Sequence, residues 1–139
     1  MATAKIIVLN HGHSVATIDS DTPLAVQTAT ETANAAVTLT HISSTTAVAG
    51  QTQLVAQPGA GLQIVVSSFV IQNESAVATT MILQAGGANT WRALGQNQGD
   101  GLAGAFPVGR EWALPANTAL NLWLSGANSC GYSIAYYVK

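Results

Sequence analysis

Residues 119–138 read ALNLWLSGANSCGYSIAYYV, with the spacing of two β-strands. Apolar side chains occupy every second position in both halves, which is the period of a strand with one buried face. The turn-forming residues Ser125–Asn128 separate the halves. The stretch therefore predicts two strands joined by a turn. The alternating positions are Leu120, Leu122, Leu124, Tyr132, Ile134, Tyr136 and Val138.

Further short apolar runs precede this pair, at intervals of about ten residues and with Gly, Asn and Pro between them. Such a series is typical of an antiparallel β-sandwich or barrel. The runs lie at residues 53–56, 62–71, 81–85 and 91–94. We therefore expect an all-β protein, with an antiparallel β-sandwich domain over residues 51–139.

Residues 1–50 have a different composition, which is rich in Ala and Thr. Val26, Ala29, Ala33 and Val37 have helical spacing, but the threonines among them lower helix propensity. Residues 38–42 alternate as a strand would. An extended N-terminal arm is the favoured prediction for residues 1–50, and a short helix within it is the alternative.

The scarcity of charge is the most unusual property of the composition. Only 7% of the 139 residues are charged, against roughly 25% in typical domains. Charged side chains normally keep a protein from associating. The composition therefore predicts a surface that other protein covers, and a monomer with an amide-rich surface is the alternative.

Charge also bears on the class of partner. The net charge is −2, and the four basic residues, Lys5, Arg92, Arg110 and Lys139, are scattered along the chain. Nucleic-acid binding requires clustered Lys and Arg, and anionic membranes attract the same clusters. We expect neither partner. The apolar run at residues 6–9 is too short for a signal-peptide core or a membrane span, which predicts synthesis and folding in a cytoplasm.

Two aromatic side chains are predicted on the outer faces of their strands. In an ideal strand, Phe69 lies opposite the stripe that contains Val66, and Trp123 lies opposite the leucines of residues 120–124. An outward aromatic on a weakly charged sheet predicts a subunit contact. Cover by a loop or by the N-terminal segment is the alternative. With the run at residues 6–9 as a strand added to a neighbour's sheet edge, the predicted subunit interface comprises Ile6, Ile7, Val8, Leu9, Phe69 and Trp123.

Two motifs match the residue pattern of a ligand site but lack other features that such a site needs. Residues 99–104 read GDGLAG, but the following AFPVG cannot form the helix that a dinucleotide pyrophosphate needs. We expect a flexible loop there. His11 and His13 offer two imidazoles where a metal needs more ligands, and only a trimer axis would gather enough. No metal and no other cofactor are expected.

The sequence favours a protein that is not an enzyme. Asp19 and Asp21 lie beside a proline turn, where capping the turn is the usual role of a carboxylate, and the other four carboxylates are isolated in sequence. No G-x-S-x-G nucleophile elbow occurs. Cys130 is the single cysteine, and its neighbours in sequence provide no base or cation to activate it. A buried Cys130 within a strand is the prediction.

Glycan recognition is the alternative function that the residues leave open. Tryptophan rings stack on sugars and side-chain amides bind hydroxyls, although tryptophan is more often buried. The candidate residues are Trp91, Trp112, Trp123, Asn89, Asn97, Asn117 and Asn121.

Three passages, residues 54–66, 99–107 and 119–137, together resemble the head decoration (cement) proteins of tailed bacteriophages, whose related modules occur in tail fibres. The resemblance lies in the pattern of strands and glycine turns, and it covers residues 52–139. It implies a jelly-roll-like sandwich, a homo-oligomer with a trimer favoured, and a place on the capsid exterior after synthesis in the bacterial host cytoplasm. The implied partners are the major capsid protein or other virion subunits. A tail-fibre or receptor-binding module recognising host glycan is the alternative.

Overall fold

The computed structural model describes residues 37–139 in full and, before them, only the backbone of two short strands. The chain divides into two units, residues 1–36 and residues 37–139. In the first unit, β1 (Lys5–Ile7) pairs antiparallel with β2 (Ala16–Ile18). Ile6 and Ile7 of the predicted interface lie in β1, whereas Val8, Leu9, His11 and His13 lie outside the described residues.

The second unit is built of strands alone, which confirms the all-β prediction. It begins earlier than residue 51, because residues 40–46 pair with the last strand of the chain. The strands are β3 (Thr40–Thr46), β4 (Gly50–Val55), β5 (Ile64–Asn73), β6 (Thr79–Ala85), β7 (Ala88–Gly95), β8 (Gly101–Ala105), β9 (Trp112–Ala113), β10 (Leu120–Leu124) and β11 (Cys130–Val138).

The strands form two antiparallel sheets. The four-stranded sheet has the order β4-β10-β6-β7, and the five-stranded sheet has the order β3-β11-β5-β8, with β9 also pairing with β5. The pairs β3–β11, β4–β10, β5–β8 and β6–β7 together form one long hairpin with its tip between β6 and β7. The hairpin is rolled up and closed by the pairs β5–β11 and β6–β10. This is the connectivity of a jelly roll.

The core fills the space between the two sheets. Each strand contributes alternate side chains, so Leu120, Leu122 and Leu124 of β10 are fully buried, as the sequence predicts. The other fully buried side chains of the core cluster include Ile64, Val66, Phe69, Ile71, Met81, Leu83, Leu114, Cys130 and Ile134.

Phe69 lies in this core, so its predicted outward position is wrong. The cause is a β-bulge in β5: Ala135 of β11 pairs with Ser68, the next residue of β11 pairs with Val66, and Ser67 has no partner on that strand. The extra residue shifts the side-chain period by one. Val66 and Phe69 therefore face the same way, and Val70, which the ideal period places with Val66, is 47% exposed.

Residues 101–105 are the strand β8 and not part of a flexible loop, which corrects a second expectation. The strand pairs with β5 and brings Gly104 opposite Phe69. A Cβ atom at residue 104 would lie 2.6 Å from Cε1 of Phe69, closer than real contacts allow. The glycine therefore makes room for the phenyl ring, and its role is packing.

Candidate functional site

The three tryptophans occupy two different environments. Trp91 and Trp112 belong to an aromatic cluster with Phe69 and Phe106, in which ring centroids lie 5.7–6.3 Å apart. The cluster packs against the core. Trp123 lies on the opposite side of its sheet from the core, half-buried, as the alternation in β10 predicts. The structure therefore does not bring the three predicted sugar-binding tryptophans together.

Trp123 is the centre of a row that crosses the outer face of the four-stranded sheet. Its neighbours in register are Gln51 on β4 and Ile82 on β6, and Ile82 in turn pairs with Arg92 on β7. Gln51 and Arg92 are exposed, whereas Ile82 is only 8% exposed between its long neighbours. The row thus presents one aromatic ring and a largely covered isoleucine, with a polar side chain at each end.

A row of four side-chain amides lies beside it on the same face, and we call it the amide row. It consists of Gln53, Asn121, Gln84 and Asn89, each opposite the next across β4, β10, β6 and β7. The Asn121 amide donates to the Gly86 carbonyl at 2.6 Å, and the Gln84 amide donates to Asn89 Oδ1 at 2.7 Å. Gln84 Oε1 is buried and has no hydrogen-bond partner among the described residues. Sequence reasoning named Asn121 and Asn89 but missed both glutamines, because only the strand register aligns them.

The outer face of the five-stranded sheet has small side chains. Three rows cross β3, β11, β5 and β8, and most of their members are Gly, Ala, Ser or Thr. Val70 is the large apolar exception at the centre of this face. We call this surface the small-residue face; its rows comprise Thr45, Gly131, Gln72 and Gly101, then Ser43, Ser133, Val70 and Ala103, then His41, Ala135, Ser68 and Ala105.

A shallow groove of about 280 Å³ runs over part of the small-residue face. Hydroxyl groups of β3 and β11 line it together with Val70, Gln72 and Glu74. Glu74 reaches over Gly131, where a Cβ atom would lie 2.5 Å from its Oε1. Its Oε2 accepts a hydrogen bond from Ser129 Oγ at 2.8 Å. The groove is therefore mostly polar, and Val70 is its exposed apolar residue.

Two other carboxylates of residues 37–139, Asp100 and Glu111, serve as loop caps. Asp100 Oδ2 accepts from the backbone amides of Gln96 and Asn97 at 2.9 and 2.8 Å, and Glu111 Oε2 accepts from the amide of Gly109 at 2.8 Å. Each fixes a turn, as carboxylates near turns commonly do. In the part of the chain that the structure describes, no three His, Cys, Asp or Glu side chains are grouped so that they would hold a metal ion.

Cys130 is fully buried in β11, as predicted. Its Sγ lies 3.3 Å from Met81 Sδ. Burial raises the pKa of the thiol to about 11, with a smaller opposing effect from the Gln72 backbone hydrogen bond and a small further rise from Glu74. The side chain therefore stays a neutral thiol over the physiological range, and it packs as a small apolar group.

No protein-family model, curated protein or solved structure matches this sequence. The described residues also contain no helix long and apolar enough to cross a membrane.

Proposed function

We propose that this chain is a bacteriophage virion structural protein, a capsid decoration (cement) protein that binds other virion subunits and copies of itself. The observation that carries the proposal is the small-residue face, which is broad, nearly uncharged and centred on the exposed Val70. Jelly rolls occur in viral capsid domains and also in lectins. The fold alone does not choose a function, so the proposal depends on the surface.

The small-residue face suits close contact with another protein. Short side chains let a second backbone approach closely, and few long, mobile side chains lose freedom on binding. Burying polar hydroxyls is compensated when a partner supplies hydrogen bonds. The exposed Val70 provides the apolar centre that specific interfaces usually have, and the polar groove beside it offers hydrogen-bonding groups.

The surface of the sandwich is poor in ions, in agreement with this role. Residues 37–139 contain six Asp, Glu, Lys and Arg side chains, and three of these are the carboxylates that cap loops or bind Ser129. Association through this surface depends on apolar burial and hydrogen bonds more than on charge. Repeated contacts in an oligomer, for which a trimer is our expectation, then raise the effective concentration at each capsid site.

Val70→Arg tests the proposal, because it places a charge at the centre of the small-residue face. We expect the dissociation constant for self-association to rise at least about tenfold, since the charge must be buried in the contact. Val77→Arg is the matched control, because Val77 is 57% exposed in the loop between β5 and β6. Equal association of both variants and the wild type, measured by light scattering after size-exclusion chromatography, would remove the face from the interface.

Attachment to the particle is tested with the N-terminal unit. Deletion of residues 2–20 removes both β1 and β2 and leaves the strands of the sandwich intact. If the segment reaches a neighbouring subunit, the shortened protein keeps its far-ultraviolet spectrum but no longer co-sediments with the particle. Unchanged co-sedimentation would show that the sandwich alone provides attachment.

A further inference from the structure

The outer face of the four-stranded sheet differs in chemistry from the small-residue face. It presents one aromatic ring, Trp123, in a row next to the amide row. We propose that this face binds a neutral pyranose oligosaccharide, with Trp123 as the stacking platform and the side-chain amides as hydroxyl partners. The site is independent of the proposed virion role, because it lies on the other sheet.

Trp123 has the placement that stacking on a sugar requires. Its indole is held from beneath by a strand whose inward residues, Leu122 and Leu124, are fully buried. Its direct neighbours are the flexible Gln51 on one side and the nearly buried Ile82 on the other. A half-buried ring on a rigid strand offers apolar area at little cost in conformational freedom.

The amide row supplies hydrogen-bonding groups beside the ring. Gln53 and Asn89 are exposed at its two ends, whereas Asn121 and Gln84 lie buried between them. Each amide has both a donor and an acceptor, which matches the dual character of a sugar hydroxyl. Strands lie about 4.8 Å apart and alternate residues about 7 Å apart, so the platform is about 14 Å wide and two rows deep.

Gln84 is an independent sign that hydrogen bonding in this row is incomplete. The side chain is 7% exposed, and its Oε1 has no partner among the described residues, although its amide nitrogen donates to Asn89. Buried acceptors without a donor are rare in native proteins. A ligand hydroxyl that donates to Gln84 Oε1 would supply the missing hydrogen bond and leave the bond from Gln84 Nε2 to Asn89 in place.

The charge of the face favours a neutral ligand over an acidic one. Arg92, at the end of the Trp123 row, is the one charged side chain in the two rows. The same two rows contain five side-chain amides, the four of the amide row and Gln51. A carboxylate-bearing sugar would need a matched pair with Arg92. Recognition in our proposal rests on stacking and on neutral hydrogen bonds.

The experiment uses the full-length chain on an array of neutral hexose and N-acetylhexosamine oligosaccharides, with uronate-containing oligosaccharides alongside. The best neutral oligosaccharide is then titrated by calorimetry. We expect Trp123→Ala to weaken its binding at least tenfold, Trp123→Phe to retain part of it, and Gln53→Ala to weaken it severalfold. Tyr137→Ala is the control, because Tyr137 is a half-buried aromatic on the outer face of the other sheet.

Three results would overturn the inference. The first is that the wild type binds no neutral oligosaccharide, or binds only uronates in a manner that Arg92→Gln abolishes. The second is that a neutral oligosaccharide binds equally to Trp123→Ala and to the wild type. The third is that the wild type binds no glycan and Trp123→Ala changes the mass of the oligomer. That result would assign Trp123 to a subunit contact, as its outward position first predicted. The role of the small-residue face in self-association is tested separately, with Val70→Arg.

Discussion

Asn73 joins the loops at one end of the sandwich through its side chain and its backbone. Its amide nitrogen donates to the carbonyls of Val77, Gly95 and Asn97 at 3.0–3.3 Å, and its Oδ1 accepts from the amide of Ser75 at 3.1 Å. The backbone exchanges hydrogen bonds with the loop that contains Asp100. Asn73 is completely buried. Its bond to the Gly95 carbonyl is shielded from water, whereas the bonds to the loop residues are partly exposed.

We expect Asn73→Ala to lower the free energy of unfolding by roughly 2 kcal/mol, because the buried Gly95 carbonyl and two partly exposed loop carbonyls would lose this donor. Urea unfolding followed by fluorescence measures the change. Asn97→Ala is the matched control, since that exposed side chain makes one hydrogen bond of 3.4 Å to Asp100. If Asn73→Ala lowers the free energy of unfolding no more than Asn97→Ala does, the hydrogen bonds of Asn73 do not stabilise the loops.

Cys130 gives a pH dependence whose sign follows from burial. The thiol pKa is raised from 9.0 to about 11 in the folded chain. Below pH 9 the proton is bound in both states. Between pH 9 and pH 11 the unfolded chain releases the proton while the folded chain keeps it, so the free energy of unfolding falls as pH rises.

The measurement is urea unfolding of the wild type and of Cys130→Ala at about pH 8 and about pH 10.5. The wild type should lose more stability between the two conditions than the variant, because only the wild type has the thiol proton to release. Parallel losses in both proteins would show that the thiol titrates normally in the folded state.

The β5 strand shows where the sequence was a sufficient guide and where it was not. Its apolar residues predicted an extended segment, which the structure confirms. The period of two placed Phe69 outside, because the bulge at Ser67 has no signature in the residue pattern and exists only through pairing with β11. Trp123 was placed correctly, because residues 120–124 of β10 pair with β6 without a register shift.

The contact between β8 and β5 leads to a prediction at Gly104. A methyl group there would press on the ring of Phe69, at 2.6 Å from its Cε1. Overpacking of this kind costs about 2 kcal/mol, so Gly104→Ala should lower stability by about that amount.

Gly87→Ala serves as the control, because a Cβ at that turn residue meets nothing within 4 Å. Thermal unfolding should place Gly104→Ala below the wild type by several degrees and Gly87→Ala close to it. Unchanged stability in Gly104→Ala would mean that the Phe69 ring moves aside freely and that the glycine is not required for packing.

At the scale of the whole molecule, the sequence predicted the sandwich but not its full extent. Residues 40–46 were assigned to an N-terminal segment because residues 1–50 share a composition rich in Ala and Thr, yet they complete the five-stranded sheet as β3. As an edge strand, β3 has mainly exposed side chains and needs little apolar content. The two candidate surfaces could not be predicted from the sequence either. The amide row and the small-residue face each combine residues from four strands, and only the strand register shows that these residues are neighbours.

The low charge of the chain connects the two proposals. A surface with few ions is free to associate through apolar burial and hydrogen bonds on one sheet, and it leaves neutral amides available to a sugar on the other. Both kinds of contact are insensitive to salt, because screening acts on charges.

The mass of the wild-type protein in solution, determined by light scattering at about 0.1 M and about 1 M salt, tests the association claim most directly. We predict a species heavier than the 14.2 kDa chain that keeps the same mass at both salt concentrations. A monomer under both conditions, or an oligomer that dissociates at the higher concentration, would contradict association through a nearly uncharged face.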